Sequence, residues 1–241
     1  EIIPYSTLEK FISSDDVVYK VYNTNNPGMI FSWGKLDVDA TGFGYDLMRH
    51  SKAFFCASSE LIGLYDEGND LRFSRYYDKY DFNNYDEGIF YVATKNYCKA
   101  STANEAYDQA LRLEEAYLNR AEALARRFQA KGDGNDRVQA LDDLNTLRET
   151  RFATGTYVEE EVTDAQDLLD FCLNERRLEL CCEEGFRWFD IKRLGLSVTH
   201  KYIDSEGVER EYVLESNSPL YALPIPYDAI ERNYKLKQNP R

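Results

Sequence analysis

The chain has 241 residues, 43% of them hydrophobic, with 43 acidic and 29 basic side chains and a net charge of −14. That is enough apolar material for one or two domains with a substantial core, and too much for a disordered chain. Phosphate backbones and anionic membrane surfaces repel such a balance, and nothing basic clusters, so nucleic-acid and membrane-surface roles are excluded while a neutral glycan is compatible.

Residues 1 to about 50 show no sustained period. N-T-N-N-P-G at Asn23–Gly28 and D-A-T-G-F-G at Asp39–Gly44 are turn clusters, with a short helix expected near Tyr5–Ser13. The spacing of Phe54, Ser58, Leu61 and Tyr65 predicts a helix over Ala53–Tyr65. Loops return over 68–100, with an extended piece at Ile89–Ala93. The chain holds 19 Tyr and 13 Phe, and the first 100 residues are rich in both. Aromatic rings in Gly- and Asn-rich loops are difficult to bury, because loops run over the surface. Trp33, beside Gly34, therefore leads the ligand-stacking candidates. Tyr22, Tyr45 and Tyr77 follow, with Asn25 and Asp37 as nearby partners for hydroxyl groups.

Regular helix dominates from residue 104. Asn104 is the expected cap of a long helix whose stripe runs through Ala106, Ala110, Leu113, Tyr117, Ala121, Leu124 and Phe128. K-G-D-G-N at Lys131–Asn135 ends it, and Arg137–Arg148 is its partner, with Ala140, Leu144 and Leu147 inward. A long helix joined by a short Gly turn to a second helix is an αα-hairpin of tetratricopeptide type. Thr163 and Gln166 suggest a capping box for a helix reaching about Glu184, with Gly185 just past its end. Phe186–Leu194 closes as a short helix. V-T-H-K-Y-I and V-E-R-E-Y-V-L alternate around a Gly turn as a β-hairpin, and a Pro-rich tail carries one short helix at Tyr227–Asn233. The expected architecture is mainly α, with helical hairpins, long irregular loops and one small β-hairpin. Composition divides the chain into a loop- and aromatic-rich, ligand-facing region at 1–103 and a helical scaffold at 104–241.

Catalytic and metal signals are sparse. There is no G-x-S-x-G, HExxH, CxxC or glycine-rich phosphate loop, and His50 and His200 are the histidines. The five Cys are expected as buried thiols, with the adjacent Cys181 and Cys182 poorly placed to bridge each other. Glu114 and Glu115 are expected to be solvated or locally paired. No apolar run approaches the ~18 residues that span a bilayer.

The most informative stretch is E-R-R-L-E-L-C-C-E-E-G-F-R-W-F-D-I-K-R-L-G, Glu175 to Gly195. Its alternating charges among Leu and Trp read as a partly buried ion-pair network that fixes geometry, built on Glu175, Arg176, Glu179, Gly185, Arg187 and Asp190, with Trp188 as a core anchor. Arg187 is expected to reach Glu183 or Glu184. The stretch resembles the ERR-x-EL…EG-x-R-x-x-D-x-x-R signature of the SusD/RagB family. Four further segments agree in order: Glu60–Arg72 (E-L…D-L-R), Leu111–Ala123, Ala140–Arg151 and Leu223–Pro240 (L-P-I-P…Q-N-P). The resemblance covers roughly Glu60 to Arg241. It implies a non-enzymatic lipoprotein on the extracellular face of the outer membrane, without a cofactor or metal. Such a protein captures an oligosaccharide or other nutrient for a SusC-like TonB-dependent transporter. The chain opens at Glu1 without a secretory signal, so it is expected to be the C-terminal part of a longer parent, tethered through an upstream lipidated Cys. Two other classes remain open: a helical-repeat module that binds proteins and, less supported, a glycoside hydrolase.

Overall fold

The computed structural model describes residues 7–11, 26–33, 56–81, 89–93, 95, 109–183, 185–203, 206 and 208–240. The chain divides into two compact units, Glu1–Glu184 and Gly185–Arg241.

In the first unit, strand β1 (Met29–Trp33) pairs antiparallel with β4 (Gln109–Arg112), with a bulge between Met29 and Phe31. Helix α1 (Ser59–Ile62) is capped by the Ser58 side chain and α2 (Leu71–Tyr76) by Asp70. Strand β2 (Tyr77–Asp81) runs antiparallel to β3 (Ile89–Ala93), the extended piece expected from the sequence. The helix expected over Ala53–Tyr65 survives as the single turn of α1, and residues 51–55 lie outside the described residues. Residues 7–11, part of the expected first helix, have no regular structure.

The helical half is α3 (Leu113–Lys131), α4 (Gly134–Glu149) and α5 (Ala165–Glu179), which pack on one another. Leu113, Ala121 and Leu124 of α3 and Ala140, Leu144 and Leu147 of α4 are buried, as the helical spacing requires. The turn between them places Gly132 in the left-handed region at φ 71°, where a Cβ is unfavourable. Two expected boundaries move. Helix α3 starts at Leu113, because Gln109–Arg112 are taken by the ladder to β1. Its cap is Arg112, without a side-chain bond, and Asn104 and Ala106 lie outside the described residues. Helix α5 is capped by Asp164, whose side chain accepts from the Gln166 and Asp167 amides, one residue after the expected Thr163.

Helix α5 also stops sooner than expected, at Glu179. Leu180–Glu183 turn away with Cys182 at φ 58°, and Lys95 donates to the Glu179 and Cys181 carbonyls (3.3 Å to the latter). A lysine thus satisfies carbonyls that a C-terminal glycine would otherwise turn toward a backbone partner. The core around this corner is Phe11, Tyr65, Tyr76, Tyr77, Ala110, Leu178 and Cys181.

In the second unit, Gly185 is the N-cap of α6 (Phe186–Leu194), not the C-terminal stop of α5. A Cβ at Gly185 would come within 3.0 Å of the Phe189 ring, so that ring lies over the bare Cα. Gly195 ends α6 at φ 63°. Strands β5 (Val198–Ile203) and β6 (Glu209–Leu214) form the expected hairpin. The tail carries α7 (Tyr227–Arg232), entered through Pro226. The Gln238 side chain accepts from the Ile225 amide (2.8 Å) and donates to its carbonyl (3.0 Å), and Asn239 donates to the Leu223 carbonyl (2.6 Å). The Q-N-P end is in this way held beside L-P-I-P by amide side chains that stand in for a strand partner.

Candidate functional site

Two constellations in the first unit carry chemistry: a closed charge network and an open apolar ridge. The network brings four of the sequence segments together. Asp70 and Arg72 come from the first and Arg112 and Glu114 from the second. Arg148 and Arg151 come from the third, and Glu175, Glu179 and Glu183 from the fourth. Lys95, outside these segments, completes it. Arg151 reaches Glu179 Oε2 through Nε (2.9 Å), and Glu179 Oε1 (3.0 Å) and Glu114 Oε1 (2.8 Å) through Nη2. Arg112 clasps Glu183 through Nη2 (2.6 Å) and Nε (3.1 Å) and lies 3.1 Å from Glu114 and 3.3 Å from Glu179. Arg72 joins Asp70 (2.7 Å), Glu175 and Glu179 (3.4 Å), while Arg148 takes the other oxygen of Glu175 (2.7 Å).

These members balance, with Arg72, Lys95, Arg112, Arg148 and Arg151 against Asp70, Glu114, Glu175, Glu179 and Glu183. Burial raises the carboxyl pKa values of Glu175, Glu179 and Glu183, but the neighbouring cations outweigh it. Arg72 and Arg148 hold Glu175 below the ordinary carboxylate range, and Arg151, Arg112 and Lys95 hold Glu179 well below it. Glu175 and Glu179 are fully buried, and their oxygens are engaged by arginines. The arrangement keeps Glu175, Glu179 and Glu183 ionised and away from solvent, as a scaffold requires and as an acid–base pair working on a sugar does not.

Several expectations are corrected here. Glu114 is fully buried and paired to Arg151 and Arg112, not solvated. The turn before β1 accommodates it: a Cβ at Gly28 would lie 3.0 Å from Glu114 Oε2, so glycine permits the close approach. Glu183 is held by Arg112 and Lys95, and Glu184, the alternative expected partner of Arg187, lies outside the described residues. Of the other motif residues, Arg176 donates to Asn119 on α3 (2.8 Å), and Asp190 pairs with Arg193 one turn along α6 (2.7 Å).

The ridge lies on the β1–β4 ladder. Phe31 is 59% exposed and stands opposite Leu111, 44% exposed, while Ala110, the next residue of β4, points into the core. Cross-strand neighbours share a face, so the two side chains form one apolar surface. Trp33 continues β1 opposite Gln109; its side chain lies outside the described residues, as do Tyr22, Asn25, Asp37 and Tyr45. Tyr77 does not belong to an exposed platform. It is 4% exposed, donates its hydroxyl to Cys181 Sγ (3.2 Å) and packs edge-on against Tyr65. Sequence reasoning missed Phe31, although M-I-F-S-W repeats apolar residues at 29, 31 and 33. Ile30, at the bulge, interrupts that alternation.

Among the described residues, no group of three or more His, Cys, Asp or Glu could hold a metal ion, and no helix is long and apolar enough to cross a membrane. Cys56, Cys172, Cys181 and Cys182 are free of disulfides.

A model of the SusD family matches residues 51–241. A solved SusD superfamily protein from Parabacteroides distasonis is similar over 98% of this chain and 54% of its own, with a TM-score of 0.63 at 17% identity. A SusD-like carbohydrate binding protein from Bacteroides vulgatus is similar over 94% of this chain and 52% of its own, with a TM-score of 0.61 at 20% identity. The chain thus spans about half the length of these solved structures, and at such identities the likeness shows the fold. No curated protein matches the chain.

Proposed function

Since the chain belongs to the SusD family, we propose that it captures a glycan or other nutrient at the outer cell surface without chemical turnover, for a SusC-like TonB-dependent transporter. The supporting observation is the contrast between the two constellations. The carboxylates that chemistry would need are buried and neutralised by arginines, whereas apolar surface on β1 and β4 faces outward. A ring such as Phe31, with Trp33 beyond it on the same strand, offers an apolar face to sugar C–H groups, and nearby polar side chains bond the hydroxyls. An open surface of this kind binds weakly, on the order of 10 μM to 1 mM or about −7 to −4 kcal/mol, which suits release to a transporter. The parent protein is lipid-anchored upstream of this chain in this reading.

A glycan array followed by calorimetric titration of the best saccharide tests the proposal. Phe31→Ala and Trp33→Ala each weaken binding by about five- to 150-fold, the equivalent of about 1–3 kcal/mol for one lost stacking contact, with nucleobase stacking as the nearest analogue. Equal affinities in both variants remove the ridge from the site. Failure to bind any saccharide, with capture of a protein partner instead, supports the interaction-module reading.

A further inference from the structure

Cys181 and Cys182 lie just past the end of α5 at Glu179, and neither the ridge nor the charge network uses their thiols. In a regular helix or strand the side chains of adjacent residues point apart. Cys182 departs from both geometries. It sits at φ 58°, a left-handed conformation that a residue with a Cβ enters only at a cost. Glycine would relieve that cost, yet the chain holds a thiol there. The two thiols meet in hydrogen-bond contact with each other.

The rest of this corner fixes one sulfur and leaves the other reachable. Cys181 is buried, and the Tyr77 hydroxyl donates to its Sγ (3.2 Å). The Tyr65 hydroxyl, which donates to the Leu178 carbonyl (2.9 Å), lies 3.4 Å from the same sulfur. The Tyr65 and Tyr77 rings pack edge-on with centroids 5.7 Å apart, so both hydroxyls are held in place. Lys95 donates to the Cys181 carbonyl (3.3 Å) and so pins the peptide that joins the two cysteines. Cys182 is partly exposed.

We propose that Cys181 and Cys182 form a binding site for copper(I), a soft monovalent cation. Thiolate sulfur selects soft ions, and a pair of thiolates is a coordination that copper(I) accepts. Structural zinc takes four ligands, and among the described residues no group of three or more His, Cys, Asp or Glu could supply them. The ion enters from the Cys182 side and bonds both sulfurs, and their protons pass to solvent. The Tyr77 hydroxyl remains as an outer donor that orients Cys181. The site goes beyond glycan capture and stands whatever saccharide the chain takes.

The test titrates the whole reduced chain with copper(I) under anaerobic conditions, against the coloured chelator bicinchoninate. The chain is expected to withdraw about one ion from the chelator, and its melting temperature to rise, because the pair is assembled in the folded state. Cys181→Ser and Cys182→Ser each weaken binding by about 100-fold or more, beyond the cost of losing an outer partner. Cys56→Ala leaves affinity unchanged. Two readouts on the wild type are free of mutant folding. X-ray absorption at the copper edge shows sulfur neighbours, and copper(I) protects the peptide that carries Cys181 and Cys182 from alkylation. No withdrawal from the chelator, an unchanged melting temperature, folded serine variants with wild-type affinity, or undiminished alkylation of that peptide overturns the inference. These outcomes leave the capture reading where the saccharide titrations put it, so the two can fail separately.

Discussion

Arg151→Met is the sharpest perturbation of the charge network. Arg151 is fully buried. It makes two contacts with Glu179 and one with Glu114, donates to the Glu9 carbonyl, and lies 4.4 Å from the Phe11 ring. Its loss strands negative charge among fully buried side chains. Glu179 keeps Arg112 at 3.3 Å and Arg72 at 3.4 Å, while Glu114 keeps Arg112 at 3.1 Å. Glu114 is the more vulnerable, because without Arg151 it keeps one cation, Arg112 beside its Oε2, where Glu179 keeps two. Removing one partner from a buried pair costs about 3–5 kcal/mol. For a chain of this size that lowers the melting temperature by about 6–20 °C. The comparison is Arg177→Ala, whose partner Glu60 is 73% exposed at 2.7 Å and whose loss costs about 0–1 kcal/mol. Far-UV circular dichroism during a thermal ramp measures both. Adding Glu114→Gln to Arg151→Met recovers part of the loss, since it removes the stranded charge. Arg151→Met melting within about 1 °C of wild type, or no nearer to unfolding than Arg177→Ala, refutes the network account.

Leu144→Ala empties a buried site on α4 and costs about 2–5 kcal/mol, read from the urea midpoint. The two glycines of the α3–α4 turn respond with opposite sign. Gly132→Ala, at φ 71°, loses about 1–2 kcal/mol, while Gly134→Ala, helical and with open space around the new Cβ, gains about 0.4–1 kcal/mol. Because the Glu175, Glu179 and Glu183 pKa values are lowered by folding, their contribution is complete above the unfolded value of about 4.3 and is lost as pH falls through their lower folded values. Stability is therefore flat in this respect near neutrality and declines on acidification below about pH 5, checked by urea midpoints across an acid series.

The helical scaffold was legible because its stripes repeat at helical spacing over several turns. Leu113, Ala121 and Leu124 of α3, and Ala140, Leu144 and Leu147 of α4, are buried as read. The error at the start of α3 has a tertiary cause. Gln-Ala-Leu-Arg favours helix locally, but Gln109–Arg112 pair with β1, which begins 80 residues earlier at Met29. The Gly185 misreading arose because Lys95 and the left-handed Cys182 finish the α5 end, a solution with no local sequence mark. The charge network was half visible. Glu175 and Glu179 announced themselves, but their partner Arg72 lies 103 and 107 residues away, and pairing over such distances is decided by packing. Tyr77 misled because a loop-rich neighbourhood suggested exposure; strand β2 instead turns it into the core beside Tyr65.

Ligand capture without turnover is the central claim, and one experiment addresses both halves of it. The chain is titrated with the best saccharide from an array, and the saccharide is then recovered and analysed for chain length and new reducing ends. The account predicts saturable binding in the range of about 10 μM to 1 mM, with the saccharide returned intact after prolonged incubation. Shortened products that appear in proportion to protein and time, and persist when Phe31 and Trp33 are replaced, contradict it.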